Sequence, residues 1–442
     1  MRPTLRCLVL FLAGIPVSLG AVSIDARLWT VWIAYLGAAL LLTGIDALLA
    51  LPRRRLRIEV DLPEQVFIGE AGRAVVRLAA PGWRRAAELG VLPELDDDLA
   101  RQPEGWAQLM PEPGTAIARG RHEVELRPRR RGDHAVRALH LRWRGPLGLI
   151  ERRLVKGVGT KVAVVPNIGA VRAIALRMFA DQSFLAGLKV ERFLGDGSEY
   201  ESLREYVPGL DHRAIDWKSS ARHRKLLCQE FRAERNHQVV LAVDAGQLMA
   251  EPVAGVPKLD HAINAAILLG WFCLRTGDRV GLVGFDERVR SWAEPAGGMH
   301  AFRRIQALSA EIDYRAVETN YTLTLAELST RLRRRSLVVL FTDFLDTVTA
   351  ELMIDNVTRL ARRHLVLFVS VRDPSLEERA LARPRSLEAM HQAVVAGDFA
   401  RERAVVLERL RRAGAHCLDV PPGAFSMTLV NRYLDLKRRE LF

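Results

Sequence analysis

Two uncharged apolar runs open the chain. Residues 7–24 carry no charge, and residues 28–51 carry only Asp46, near the end of the run. At about 1.5 Å of helix rise per residue, each is long enough to cross a hydrocarbon core of about 30 Å. Asp25 and Arg27 leave room for a very short turn, so the pattern predicts a transmembrane helical hairpin. Asp46 is expected near a headgroup layer, where an ionised group costs less than at the bilayer centre. Arg2 and Arg6 precede the first run, and Arg53, Arg54 and Arg55 follow the second. Basic flanks face the cytoplasm, so both ends of the hairpin and everything after it are expected there. A cleaved signal peptide, with small residues at Gly20-Ala21-Val22, is the alternative. The second apolar run, following at once, argues against it.

From Leu56 the period changes to two. Leu56, Ile58 and Val60 alternate with polar residues, as do Val124 and Leu126, and further on Val136, Leu139 and Leu141. Such alternation predicts half-buried antiparallel strands. Turn clusters punctuate them at Pro81-Gly82, Pro111-Glu112-Pro113-Gly114 and Gly145-Pro146. Residues 53–168 are therefore expected to form a small β-sandwich. The basic run Arg127–Arg131 reads as a solvated strand end, with a lipid-facing patch as the alternative.

Residues 237–442 alternate between strand and helix patterns. Val239–Val243, Val280–Phe285, Leu337–Phe341, Leu365–Val371 and Cys417–Val420 read as strands, most of them continuous apolar runs. Leu259, Ile263, Ile267, Trp271 and Leu274 recur at helical spacing, and Gly277 is placed to stop that helix. Helices are also expected over 300–310, 353–360 and 387–412, with a final one capped by Ser426 and running through Leu436. The fold class is thus α/β, a doubly wound, mainly parallel sheet behind a β-sandwich and a membrane hairpin. Residues 169–236 connect the two.

In open sheets of this kind, ligands bind beyond the carboxyl ends of the strands. Asp244 and Asp343 stand at two such ends, where converging carboxylates favour a cation. The plainer role for a strand-end Asp is to cap a helix or bond nearby amides.

Composition narrows the classes. At 49% hydrophobic and 26% charged, this is a folded chain with room for about three domains. Four cysteines, none spaced C-x-x-C, exclude a disulfide scaffold and make a zinc knuckle unattractive. The net charge is +13, from 65 Lys+Arg against 52 Asp+Glu, and it is spread along the chain. Acidic lipid headgroups are a simpler partner for it than nucleic acid.

The stretch Gly195-Asp196-Gly197-Ser198-Glu199-Tyr200-Glu201-Ser202-Leu203-Arg204-Glu205-Tyr206-Val207-Pro208-Gly209, continued by Asp211, Arg213 and Ile215 to Arg222, is distinctive. It resembles the signature of the bacterial family called domain of unknown function fifty-eight. The resemblance extends to the hairpin, to Gly145-Pro146-Leu147-Gly148-Leu149 and to a von Willebrand factor A-like domain. It implies an inner-membrane protein that works with a MoxR-type AAA+ ATPase. A von Willebrand A domain also implies a metal-ion-dependent adhesion site. Asp244, Thr319 and Asp343 match three of its ligand positions. Gly246 and Leu248 stand where its serines belong, so any Mg²⁺ site is degenerate and no cofactor is expected beyond a weak Mg²⁺.

Within the signature, Arg204, Glu205, Asp211, Arg213, Asp216 and Arg222 interleave opposite charges around Trp217. That suits an ion-paired element docked on its neighbour, or a partner-binding surface. Ser219, Ser220 and His223 offer nucleophile and base types, but their spacing shows no triad. The chain has no P-loop, H-E-x-x-H, G-x-S-x-G or dinucleotide fingerprint. The expected function is a non-enzymatic, membrane-anchored adaptor. The alternatives are a Mg²⁺-dependent hydrolase using Asp196, Glu199, Asp211 or Asp216, and a basic lipid or nucleic-acid binder.

Overall fold

The computed structural model describes residues 1–24, 29–100, 103–167, 194–207, 215–232 and 237–439. The chain divides into two compact units, Met1–Val165 and Pro166–Phe442.

The first unit opens with a short strand β1 (Arg2–Pro3) and two helices, α1 (Leu5–Ile24) and α2 (Thr30–Leu49). Each helix has 20 residues and so spans about 30 Å. They pack on each other: the Tyr35 hydroxyl donates to the Leu10 carbonyl at 2.6 Å. Gly14 makes the approach feasible, because a Cβ there would overlap the Tyr35 ring. Leu5, Leu12 and Leu19 on α1, and Leu40, Leu41 and Leu48 on α2, remain exposed. By length and composition, Thr30–Arg55 is apolar enough to cross a membrane. The expected turn at residues 25–28 lies outside the described residues.

Asp46 corrects the sequence reading. It is fully buried rather than set among headgroups. Its carboxylate accepts the backbone N–H groups of Leu147 at 2.7 Å, Leu149 at 2.8 Å and Ile150 at 2.9 Å. Burying a carboxylate is tolerable only with such donors, and the β domain supplies them from the Gly145–Leu149 loop. Arg152 finishes the helix end, donating to the carbonyls of Ala47 at 2.7 Å and Leu51 at 3.2 Å. A cation suits the negative end of a helix dipole. The Trp143 indole also donates to the Leu51 carbonyl, at 2.9 Å.

The strands that follow are β2 (Arg57–Asp61), β3 (Gln65–Phe67), β4 (Gly72–Pro81), β5 (Ala87–Leu95), β6 (Gly105–Pro111), β7 (Ile117–Leu126), β8 (Gly132–Arg144) and β9 (Ile150–Val165). Their order is β1-β9-β8-β5-β6-β7-β4-β2, with β3 also paired to β9. Only residues 62–64 separate β2 from β3, yet these strands lie at opposite ends of that path. The sheet must therefore fold over on itself, enclosing Val76, Leu78, Leu89, Val91 and Leu126. β6 makes the passage, pairing first with β5 and, from Met110, with β7. A register shift between Val136 and Ala138 explains the broken phase of Val136, Leu139 and Leu141. This bulge moves the inward positions from even to odd numbers.

The second unit begins with a two-stranded hairpin, β10 (Leu194–Glu205) and β11 (Leu227–Arg232), carrying the short helix α3 (Trp217–His223) between them. The α/β part then runs β12 (Gln238–Asp244), the two-residue pair β13 (Pro252–Val253) and β14 (Val256–Pro257), α4 (Lys258–Arg275), β15 (Arg279–Phe285) and β16 (Val289–Ala296). It continues with α5 (Gly298–Glu311), α6 (Tyr321–Arg331), β17 (Leu337–Phe341), α7 (Ala350–Ala361), β18 (Leu365–Val371), α8 (Pro374–Leu381), α9 (Leu387–Arg412), β19 (His416–Val420) and α10 (Pro422–Arg438).

The six-stranded order is β16-β15-β12-β17-β18-β19. All neighbours are parallel except the edge strand β16. Val239, Leu241 and Val243 of β12 join a core with α4 and α10, while Val240 and Ala242 join another with α7 and α9. Both faces are buried, as the unbroken apolar strands require. Neither β16 nor α6 was anticipated. Ser426 does not cap the last helix but lies inside it. α10 starts at Pro422, a residue with a pre-set helical φ and no N–H to leave unsatisfied.

Candidate functional site

β12 and β17 pair in parallel with Val243 opposite Phe341. Asp244 and Thr342 therefore leave the sheet side by side at its carboxyl edge. Asp244 is 1% exposed. Its Oδ1 accepts from the Gly246 N–H and the Thr319 hydroxyl, both at 2.8 Å. Its Oδ2 accepts from the Thr342 hydroxyl at 2.5 Å and, more weakly, from Tyr321 at 3.5 Å. Burial pushes the Asp244 pKa up to about 6, against the opposing donors Thr342, Gly246, Thr319 and Tyr321. Gly246 has a local cause: a Cβ there would overlap the Thr319 hydroxyl. Thr319 thus fills the space that a serine at 246 would need.

Asp343 is held differently. Its Oδ2 meets Lys258 Nζ at 2.8 Å and its Oδ1 meets Arg403 Nη1 at 2.7 Å. The Phe344 N–H adds a third bond, to Oδ1, at 3.0 Å. Lys258 opens α4 and also reaches Glu251 at 2.6 Å. Burial works against its charge, but Asp343 and Glu251 outweigh it and raise the Lys258 pKa. Arg403, from α9, also binds Asp419 at 2.8 Å and lies over the Phe344 ring at 5.1 Å.

Of the three ligand candidates, the structure joins Thr319 to Asp244, while the side-chain oxygens of Asp343 turn to Lys258 and Arg403. A carboxylate already bonded to two protein cations gains little from a third. Among the described residues no group of three or more His, Cys, Asp or Glu is arranged to hold a metal ion. Thr342 and Asp244 make a hydroxyl–carboxylate pair, but both are essentially closed to solvent.

The signature residues occupy other elements. Asp216 caps α3, accepting from the Ser219 N–H at 3.0 Å and the Ser219 hydroxyl at 2.9 Å. The Ser220 hydroxyl accepts the Leu227 N–H at 2.9 Å, so both serines have structural employment. Trp217 is 68% exposed, and Arg222 in the last turn is exposed as well. Glu205 is exposed and lies 3.6 Å from Lys225. Arg204 belongs to β10, with Cys228 as its backbone partner. Asp211 and Arg213 lie outside the described residues, as do the side chains of Asp196 and Glu199.

Sequence reasoning missed Lys258, Arg403, Thr342 and Tyr321. Thr342 was readable as the neighbour of a strand-end acid. Arg403 was not, because 60 residues separate it from Asp343.

Residues 202–384 match a family model described as "Protein of unknown function DUF58". That segment runs from the signature into the α/β part and leaves out the apolar helices and the folded sheet. An uncharacterized protein of Mycobacterium tuberculosis is 27% identical over 228 residues, 51% of this chain and 71% of its own length. Uncharacterized protein YeaD of Bacillus subtilis is 22% identical over 255 residues, 57% of this chain and 53% of that protein. The chain thus spans about half the length of the Bacillus relative. Among solved structures, the conserved hypothetical protein BatB of Bacteroides thetaiotaomicron is 11% identical with a TM-score of 0.26, covering 40% of this chain and 98% of its own. An uncharacterized membrane spanning protein of Vibrio fischeri is 14% identical with a TM-score of 0.17, covering 45% and 98%. At these scores the structural likeness carries no argument.

Proposed function

We propose that this protein is a membrane-anchored adaptor whose α/β unit captures a protein partner. α1 and α2 form a two-pass anchor in the bacterial inner membrane, with the folded sheet of the first unit and the whole second unit in the cytoplasm. Their length, their exposed apolar side chains and the basic flanks support this. The six-strand order and the Asp244–Thr319 contact support a von Willebrand A-like reading of the α/β part. The resemblance makes a MoxR-type AAA+ ATPase the partner.

One observation carries the docking role. α9 is 26 residues long, but its buried residues begin only at Ala396. The preceding residues, 387–395, advance about 13 Å along the helix axis without entering the core. On that stretch Leu387 is 71% exposed, Met390 53% and Val394 54%. Their i, i+3, i+7 spacing puts them on one face. Leu381 of α8 is 85% exposed just before them. An apolar face left to water in this way marks a protein interaction site.

The strand-end residues fit a supporting role. Lys258 and Arg403 lock the loop after β17 to α4 and α9, which fixes the base of the projecting helix. Asp343 serves there as a joint. Asp216 serves as a helix cap, which takes one of its four candidate acids from the hydrolase reading.

The test is co-purification of the full chain with a MoxR-type ATPase from the same genome. Wild type is expected to retain it, and Leu387→Asp/Met390→Asp to lose it at unchanged melting temperature. Arg204→Ala reports whether the signature contributes. Equal recovery from wild type and the α9 variant would remove this face from the interface.

A further inference from the structure

A cavity of about 390 Å³ lies within the first unit, where α1 begins and α2 ends. Arg6, Arg85 and Arg144 line it, together with Trp83, Trp106 and one acid, Glu88. None of the three arginines has an ion-pair partner among the described residues. Other arginines of this unit do carry carboxylate partners, as Arg142 does with Glu104, Arg137 with Asp96 and Arg153 with Glu151. The Trp83 indole Nε1, at the cavity wall, is buried and has no hydrogen-bond acceptor among the described residues. Guanidinium and indole groups only donate. The cavity therefore has a surplus of donors and of positive charge.

Its position says what would supply the acceptors. Arg6 stands in the first turn of α1, and Leu49, Ala50 and Leu51 at the end of α2 form part of the wall. From there an apolar face leads away along α2: Leu48 is 86% exposed, Ile45 39% and Leu41 66%. The steps of three and four residues keep these side chains in one row. Trp83 and Trp106 are of the type that settles at the headgroup level.

We propose that this cavity binds the phosphate of an anionic phospholipid, with the acyl chains lying along Leu48, Ile45 and Leu41. Guanidinium groups match phosphate oxygens in a bidentate manner. The inference rests on the reading of α1 and α2 as membrane-inserted. It would make the anchor lipid-selective as well as hydrophobic, and it separates this site from the run Arg127–Arg131, in which Arg127, Arg129 and Arg130 are exposed and Arg131 is buried.

The experiment is calorimetric titration of the detergent-solubilised full chain with dihexanoyl phosphatidylglycerol, dihexanoyl phosphatidylcholine and inorganic phosphate. The phosphatidylglycerol is expected to saturate one site, about tenfold or more tighter than either of the others. Arg85→Gln/Arg144→Gln should weaken it by about tenfold or more at unchanged melting temperature. Arg127→Gln/Arg129→Gln should leave it unchanged. Equal affinity for the two lipids, full binding by the Arg85/Arg144 variant, or loss in the Arg127/Arg129 variant would each overturn the proposal. Inorganic phosphate binding as tightly as phosphatidylglycerol would overturn the lipid assignment and make this a free-phosphate site. Flotation with neutral vesicles separates the two readings. A chain that does not float sinks the anchor, whereas one that floats but binds no phosphatidylglycerol sinks only the site.

Discussion

Asp46 and Leu149 are joined by a 2.8 Å hydrogen bond between an apolar helix and a β-domain loop 103 residues away. With the Leu147 and Ile150 N–H groups, it fastens the end of α2 to the folded sheet. The Gly145-Pro146-Leu147-Gly148-Leu149 segment gains a specific purpose from this contact. A Cβ on Gly145 would overlap the Asp46 carboxylate, so only glycine lets the loop close over it.

Asp46→Ala should therefore destabilise the first unit by about 3 kcal/mol or more, because it strands buried N–H donors. Gly145→Ala should also lower stability, by displacing the same carboxylate. The double variant should cost less than the sum of the two, since both break one contact. Thermal unfolding of the four proteins in detergent completes the cycle. Strict additivity would mean that the Asp46–loop contact does not carry the effect.

Asp244 gives stability a pH signature. Its folded pKa of about 6 lies above the ordinary carboxylate value of 3.8. The folded state holds the extra proton between those limits, so its stability falls as pH rises through them. The contribution is fully present below pH 3.8 and gone above about 6, a change of about 3 kcal/mol for this buried group. Asp244→Asn should remove that component. Urea unfolding of wild type and variant from pH 4 to pH 7 should show the wild type losing stability relative to the variant. Parallel curves would mean that Asp244 is ionised throughout.

Much of the α/β scaffold was legible because strands buried on both faces leave unbroken apolar runs. Leu337–Phe341 and Leu365–Val371 were read to the residue, as was the helix Leu387–Arg412. β16 was not, because an edge strand covered on one side carries polar residues such as Arg290, Ser291 and Glu294. The candidate site was half legible. Strand-end acids can be seen in a chain, and the Thr319 position followed from a resemblance. What holds Asp343 could not be seen, because Lys258 and Arg403 come from distant helices and look like ordinary surface cations. Asp46 failed for the same reason: a lone acid in an apolar run gives no hint of the loop that will cover it.

Asp216 offers a test of the signature segment. Its carboxylate accepts both the backbone N–H and the hydroxyl of Ser219, fixing the first turn of α3. Asp216→Ala should cost about 1 kcal/mol and Asp216→Asn much less, since asparagine caps nearly as well. Hydrogen exchange at residues 217–223 should rise in the alanine variant and stay near wild type in the asparagine one. Equal exchange in all three would mean that the cap does not hold this helix.

Asp343 ties the last prediction to the metal question. Removing Arg403 leaves the nearly buried carboxylates of Asp343 and Asp419 without their shared cation. Arg403→Ala should therefore destabilise the second unit by about 3 kcal/mol or more. The same bonding implies that millimolar Mg²⁺ leaves the melting temperature of the wild type unchanged, because Lys258 and Arg403 already hold Asp343. Lys258→Met/Arg403→Met removes both positive charges while keeping side-chain bulk. In that variant Asp343 and Asp419 lose the cation between them, and Mg²⁺ should raise the melting temperature, as any ligand selective for the folded state does. Calorimetric scans with and without Mg²⁺ on both proteins decide it. A wild type that is stabilised by Mg²⁺ would show that an ion displaces the Lys258 or Arg403 contact, and the strand ends would then be a working metal site.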